Sequence, residues 1–451
     1  MISIATIFIT VSAFGVPYGI QRFLGKSFSE QKLGDAKVYV RVSLFLITIG
    51  ISVTIAGIIL AQDWFLDTFK IDFDLLIIAI VFIASSITAL LLRSIIVSSL
   101  KTKPLPVISI VSSGVKLALG ISLVLLGAGV LGVAIGYTSL PILTSIFLAI
   151  SILLIFKKSK EKAKAGFGQC IKNIIPASVV VWIPGLISVT GLQLGIIVVF
   201  GSQGATQAGV YFIAFSIMTA LSAVIAALMT IALPILSGMK DGRKRFAWRI
   251  TKISLIITLP VTSIIIFYSK EVMQLFGNNY AEGSSTLEIL LLSILPITVM
   301  VGINTLVYSY GNYRQVLAIG LASSVPRTVL YFVLIPIYGG IGAAESLTIG
   351  SVVGLVASLI VAKKIGLQIF WKDLIIILII PTVLAFVLHY FEINAIVTVP
   401  ATLVLSYLLF FKLRIITRSD IQDSFGILPK NVAEPLINLL NTIGKKLNRF
   451  Y

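Results

Sequence analysis

The chain has 451 residues, 58% of them hydrophobic and only 12% charged, with a mean hydropathy of +1.09; this excludes an ordinary soluble domain and reads as an all-α, polytopic membrane protein. The formal charge of +18 would point to nucleic acid in a soluble chain, but no aromatic-interleaved basic face accompanies the basic runs, so no nucleic acid is expected as a partner. A single cysteine, Cys170, excludes an intramolecular disulfide and reads as a bystander.

A bilayer core of about 30 Å takes roughly 20 apolar residues per helix. On that measure spans are predicted at 2–20, 39–61, 75–97, 107–128, 130–156, 174–199, 209–236, 248–269, 284–308, 317–336, 341–362, 374–391 and 395–413, thirteen helices in all. The first lacks the positively charged leading region of a signal peptide and reads as a mature helix. Tight turns fall near 129 and 339. The stretch 157–173, KKSKEKAKAGFGQCIKN, is short, polar and basic. It divides an N-terminal lobe, 1–156, from a C-terminal lobe, 174–362; a terminal helix pair, 363–413, and a tail, 414–451, follow. In the tail Val432, Leu436, Leu440, Ile443 and Leu447 recur at spacings of three and four beside Lys445, Lys446 and Arg449. An interfacial amphipathic helix and a solvated tail both fit this pattern.

Basic residues crowd 22–41, 93–103, 157–172, 240–252, 314, 363–372 and the tail from 412, whereas the intervening loops hold only Lys70 and Lys270. By the positive-inside rule the first set, and with it the C-terminus, is cytoplasmic in a multi-pass protein of the cell membrane. Membrane lipids, anionic headgroups especially, are therefore expected partners.

The chain also matches itself. SSGVK (112–116) falls on SSVPR (323–327) at an offset of 211 residues, RVSLF (41–45) on KISLI (252–256), and DWFLDTF (63–69) on QLFGNNY (274–280). One residue short of that register GVLGVA (129–134) falls on GGIGAA (339–344). These ordered matches indicate an internal duplication. The helix at 174–199 has no counterpart within the chain, so roughly 40 residues carrying one further helix are expected ahead of the first residue. Five visible helices and six then form two pseudo-symmetric lobes in the same orientation, related by an axis along the membrane normal.

Two cations, Lys116 and Arg327, occupy matching places in the repeats near the middle of apolar runs. A charge at that depth is costly and marks a functional site by default. The alternative is that both are boundary residues whose helices begin later. Arg22 and Arg93 stand near cytoplasmic helix ends, where they could line an inner mouth or simply anchor the topology. Arg41 and Lys252, paired by the repeat, read as anchors at helix starts. Glu345 is the clearest intramembrane acid, fit either for ion coupling or for an interfacial position. His389, the only histidine, reads as an interfacial contact. Pro176, Pro184, Pro234, Pro260, Pro296, Pro326 and Pro336 could kink helices of the second repeat. No GxxxxGK[ST] loop, metal-ligand spacing or nucleophile triad occurs, so neither catalytic residues nor a cofactor or metal is expected.

The segments GIQRFLGKSFSEQKLGDA (19–36), GVYFIAFSIMTALSAVIAALMTIALPILSG (209–238), VMQLFGNNYAEGSSTLEILLLS (272–293) and VLYFVLIPIYGGIGAA (329–344) together resemble the polysaccharide flippases. These are a branch of the multidrug/oligosaccharidyl-lipid/polysaccharide superfamily. The resemblance spans nearly the whole chain and implies a transporter, not an enzyme. It implies that a lipid-linked oligosaccharide, on polyprenyl phosphate or pyrophosphate, moves from the cytoplasmic to the outer leaflet by alternating access, with glycan-assembly enzymes as further partners. Lys116 and Arg327 would bind its phosphates, and Arg93 and Arg22 would draw in the headgroup. A cation-coupled multidrug extruder, a lipid II flippase and a membrane glycosyltransferase or polymerase stand as alternatives. The visible first-lobe spans hold no Asp or Glu apart from Asp74 at a helix edge, which argues against an acidic drug-binding cavity. The short outer loops argue against a glycosyltransferase.

Overall fold

The computed structural model describes residues 2–69, 71–99, 101–157, 163, 165–239 and 241–415; the tail positions from Val432 to Arg449 lie outside them, as does the side chain of Arg22. Among the described residues every regular element is a helix. The chain divides into two units, Met1–Gln193 and Leu194–Tyr451.

Unit 1 holds α1 (Ile2–Ser12), α2 (Val16–Ser29), α3 (Leu33–Leu60), α4 (Gln62–Phe69), α5 (Phe73–Ser98), α6 (Pro104–Leu123), α7 (Gly129–Lys157) and the start of α8 (Phe167–Gly238). The span predicted at 2–20 is broken in its middle. It is two helices bent by 52°, because Phe14 (φ 45) and Gly15 (φ 66) are both left-handed and Pro17 sits in the first turn of α2, where its missing N–H costs nothing. The break is held by α8. A Cβ on Gly15 would strike the Ser178 backbone, the Trp182 indole donates to the Thr10 carbonyl at 2.9 Å, and its ring lies 4.7 Å from that of Phe14. Behind these contacts Ile20, Leu24, Ile87, Leu91, Ile95 and Leu148 form the buried core of the unit.

Unit 2 contains the remainder of α8, then α9 (Arg243–Phe267), α10 (Ser269–Gln274), α11 (Ser284–Leu292), α12 (Ile294–Ser309), α13 (Tyr313–Lys364), α14 (Trp371–Tyr390) and α15 (Ala395–Lys412). Its interior is closed by small and hydroxylic residues, as expected where lipid gives helices no hydrophobic reason to associate. Ser254, Thr258 and Thr262 are buried along α9, each bonded to the carbonyl four residues back. Gly302 of α12 packs so closely on Thr251 that a Cβ there would collide with it.

Among the described residues eight helices are long and apolar enough to cross a membrane. Three of these, of 54, 49 and 52 residues, are folded back or broken at glycine. The turn between α6 and α7 uses Gly127 and Gly129, α8 breaks at Gly204 (φ 83, ψ −178), and α13 turns at Gly339. Each glycine takes a positive φ that a side chain would resist. With the bent α1–α2 pair and the shorter apolar helix Val397–Lys412, the described residues accommodate the thirteen predicted spans.

The helices begin earlier than hydropathy predicts: α3 starts at Leu33 and α9 at Arg243. Arg41 and Lys252 are therefore interior residues, not helix starts. Arg41 is exposed, but Lys252 is buried and its Nζ donates to the Ile415 carbonyl at 3.0 Å, tying α9 to the turn that follows α15. The anchor reading of Lys252 is thus replaced by an intramolecular tether.

Candidate functional site

Lys116 stands twelve residues past the start of α6 and Arg327 fourteen past the start of α13, which is roughly 18 and 21 Å along a helix rising 1.5 Å per residue. Both are deep in their helices. Neither is a boundary residue whose helix begins later.

In unit 1 the α6–α7 hairpin is drawn tight beside Lys116. A Cβ on Gly136 would lie 2.7 Å from Gly120 Cα and 3.0 Å from the Lys116 carbonyl oxygen, so only glycine permits this approach. The Lys116 side chain is half-buried, and its Nζ lies 4.4 Å from the centroid of the Tyr137 ring on α7. That ring face offers electrostatic attraction without an anion, leaving the ammonium donors available.

In unit 2 the two limbs of α13 pack in the same manner. A Cβ on Gly350 would lie 2.6 Å from Arg327 Cβ and 2.7 Å from the Ser323 carbonyl oxygen, and one on Gly354 would lie 2.7 Å from Ser323 Cβ. Arg327 is only 6% exposed. Its Nη2 donates to Ser324 Oγ at 3.1 Å, while its Nε meets no hydrogen-bond partner. Among the described residues no carboxylate pairs with it.

Two tyrosines complete this neighbourhood. Tyr331, one turn beyond Arg327, and Tyr211, on the second limb of α8, are fully buried. Their hydroxyls interact with each other, short of ideal hydrogen-bond geometry, and Arg327 acts on both electrostatically. Gly195 packs closely on both: a Cβ there would lie 3.0 Å from Tyr331 Cζ and 3.1 Å from Tyr211 Oη. Sequence reasoning missed Tyr211, Tyr331 and Gly195, since a tyrosine in an apolar run carries no mark of burial.

The other candidates are dispersed. Arg93 is exposed five residues before the end of α5. Arg22 belongs to α2, its side chain outside the described residues. Glu345, on the second limb of α13, is half-buried, and among the described residues no cation pairs with it. His389 is exposed, its ring edge-on to Tyr268 at 5.0 Å; Tyr268 Oη in turn donates to the Ile393 carbonyl at 2.7 Å.

The sequence pattern of the family described as "polysaccharide biosynthesis protein" matches residues 1–285. No curated protein matches the chain. Among solved structures, the lipid II flippase MurJ in an inward closed conformation is 15% identical with a TM-score of 0.63, covering 92% of this chain and 98% of that one. A MOP superfamily transporter from Pyrococcus furiosus, described as having a binding pocket of reverse polarity, is 15% identical with a TM-score of 0.61 over 80% of this chain and 86% of that one. The MATE transporter VcmN of Vibrio cholerae in its bent form is 15% identical with a TM-score of 0.59, again over 80% and 86%. At such identity the likeness is one of fold: the chain is a multi-pass helical membrane protein built as these transporters are.

Proposed function

The chain belongs to the polysaccharide biosynthesis protein family, and from that membership we propose that it is a flippase, not an enzyme. It moves an oligosaccharide linked to polyprenyl phosphate or pyrophosphate from the cytoplasmic to the outer leaflet of the cell membrane by alternating access, with its C-terminus in the cytoplasm. The fold shared with MurJ and with MOP superfamily transporters supports the transport reading. The alternation of basic loops supports the orientation.

One observation carries the assignment of the headgroup site: Arg327 is buried fourteen residues into α13, with no carboxylate partner among the described residues and its Nε unbonded. On insertion scales an arginine at the middle of a spanning helix costs about 2.5–3.5 kcal/mol. A phosphate oxygen offsets that cost with a charge-assisted bond that a guanidinium is shaped to make. Lys116, half-buried at the matching place in the first repeat, supplies a compact second charge. Arg93, five residues before the end of α5, and Arg22, in the middle of α2 and not at a helix end, draw the anionic headgroup toward these two, and Glu345 is the acid assigned to ion coupling.

The test is complementation of a strain lacking its lipid-linked oligosaccharide flippase. Lys116→Gln combined with Arg327→Gln is expected to abolish complementation while the variant accumulates in the membrane at normal abundance. Full complementation by that variant would reject both residues as headgroup ligands.

A further inference from the structure

We propose that unit 2 holds an anionic phospholipid of the cytoplasmic leaflet where the start of α9 meets the linker between α13 and α14. The linker meets α9 at two places. Gly366 turns there with φ 67, and a Cβ on it would lie 3.3 Å from the Lys244 ammonium; further along, the ring of Phe370 lies 6.0 Å from that of Trp248. Lys244 and Trp248 stand about one turn apart on α9. A helical side chain leans toward the N-terminus of its helix, so the indole reaches back over the turn that carries the lysine. Trp248 is only 7% exposed and its Nε1 meets no hydrogen-bond partner. A donor so buried is nearly always satisfied.

Charge and position identify what satisfies it. Lys363 and Lys372 flank the linker; they and Lys244 are exposed, and among the described residues no carboxylate pairs with any of the three. Both α9 and α14 begin here without a side-chain cap, so their first N–H groups add to the positive field. The acids alongside are Asp373, in the first turn of α14, and Asp241, whose Oδ1 accepts from the Gly242 N–H at 2.8 Å; the cations outnumber them. An anion therefore fits, and the surroundings make it a lipid head. The exposed rings of Phe370 and Trp371 are of the kind that sits at headgroup level. From Trp371 a stripe of exposed apolar residues, Ile375, Ile379 and Val383, runs along α14 at four-residue spacing. A phosphate held by Lys244 and the Trp248 N–H has a path for its acyl chains there, which free phosphate does not use. The positive-inside rule puts these loops at the cytoplasmic leaflet, which carries the negative surface potential. The site is separate from the headgroup reading, since it uses neither Lys116 nor Arg327 and its occupant is a resident lipid of the membrane.

The experiment uses the full-length protein purified in detergent, with thermal unfolding and native mass spectrometry followed as dioleoyl phosphatidylglycerol, dioleoyl phosphatidylcholine, polyprenyl phosphate or inorganic phosphate is added. The expected result is a saturable rise of the midpoint and a retained lipid adduct with phosphatidylglycerol, and neither with phosphatidylcholine or inorganic phosphate. In Lys244→Gln/Lys372→Gln the apparent affinity for phosphatidylglycerol is expected to fall at least about tenfold. Trp248→Phe keeps a ring against Phe370 and removes only the N–H, and should lower it about fivefold. Lys101→Gln/Lys103→Gln, which removes the same charge from exposed positions in unit 1, should leave it unchanged. Equal effects of the two phospholipids, a rise with inorganic phosphate, an unchanged affinity in Trp248→Phe, or an equal loss in the Lys101/Lys103 variant would each overturn the proposal. So would tight binding of polyprenyl phosphate that phosphatidylglycerol does not match, which would mark a place for the transported lipid. Complementation by Lys116→Gln/Arg327→Gln reports separately on the headgroup reading, and either proposal can fail while the other stands.

Discussion

Gly129 and Gly339 hold the same backbone conformation, φ 50 and ψ −128 in the first and φ 57 and ψ −130 in the second. Both lie at the turn of a helical hairpin, in the segments GVLGVA and GGIGAA that the repeat aligns. Three residues further on, Gly132 and Gly342 would each strike the preceding helix, near Leu123 and near Leu334, if they carried a Cβ. Two hairpins built on the same turn and the same close approach are what a duplication leaves when the physical constraint outlasts the sequence.

The turn conformation itself is costly for any side chain. Gly129→Ala and Gly339→Ala are each expected to lower stability by about 1–3 kcal/mol, measured by thermal unfolding in detergent. Gly57→Ala is the matched control, because its position in α3 has ordinary helical φ and no atom within 4 Å; it should be neutral or slightly stabilising.

Close packing behind Arg327 makes a second prediction. Gly350→Ala places a methyl against Arg327 Cβ and the Ser323 carbonyl, so the limbs of α13 must part or the arginine must shift. Overpacking of this kind costs about 1–3 kcal/mol, and transport should fall with it. Gly320→Ala, on the same helix with nothing within 4 Å, should leave both properties unchanged.

Much of the fold could be read from hydropathy, because spans and turn glycines are local signals: the turns at 129 and 339 and the runs around them need only apolar length and a residue that accepts positive φ. The break at Phe14–Gly15 could not be read this way. Its cause is tertiary, the approach of Ser178 and Trp182 from more than 150 residues away. The tether of Lys252 to Ile415 escaped for the same reason. At the candidate site, Lys116 and Arg327 were visible because a charge in an apolar run is rare. Tyr211 and Tyr331 were not, because only packing distinguishes a buried phenol from one that faces lipid headgroups.

Lys116 and Tyr137 provide a test in unit 1. With Nζ 4.4 Å from the ring centroid, Tyr137→Phe keeps the π face and should preserve transport and stability. Tyr137→Leu removes it and should cost about 0.5–2 kcal/mol, seen as a lower unfolding midpoint and weaker apparent affinity for the transported lipid.

Cys170, the chain's only cysteine, is fully buried at the start of α8, and loss of hydration pushes its thiol above the usual range, an effect that the nearby Tyr39 hydroxyl partly opposes. The folded state thus favours the neutral thiol. Its contribution to stability is complete below the unfolded-state pKa and is lost as pH rises through the raised folded value. Maleimide labelling of the native protein should be slow near neutral pH and accelerate in alkali; rapid stoichiometric labelling near neutrality would show the thiol exposed.

In the proposed mechanism paired cations carry an acidic lipid head across the membrane, and this is followed as transfer of a fluorescent polyprenyl-pyrophosphate oligosaccharide between the leaflets of liposomes containing the purified protein, scored by how much becomes shielded from an external quencher. Transfer by the native chain that disappears in Lys116→Gln/Arg327→Gln, with both proteins folded and equally reconstituted, is the predicted result. Equal transfer by the two would contradict it.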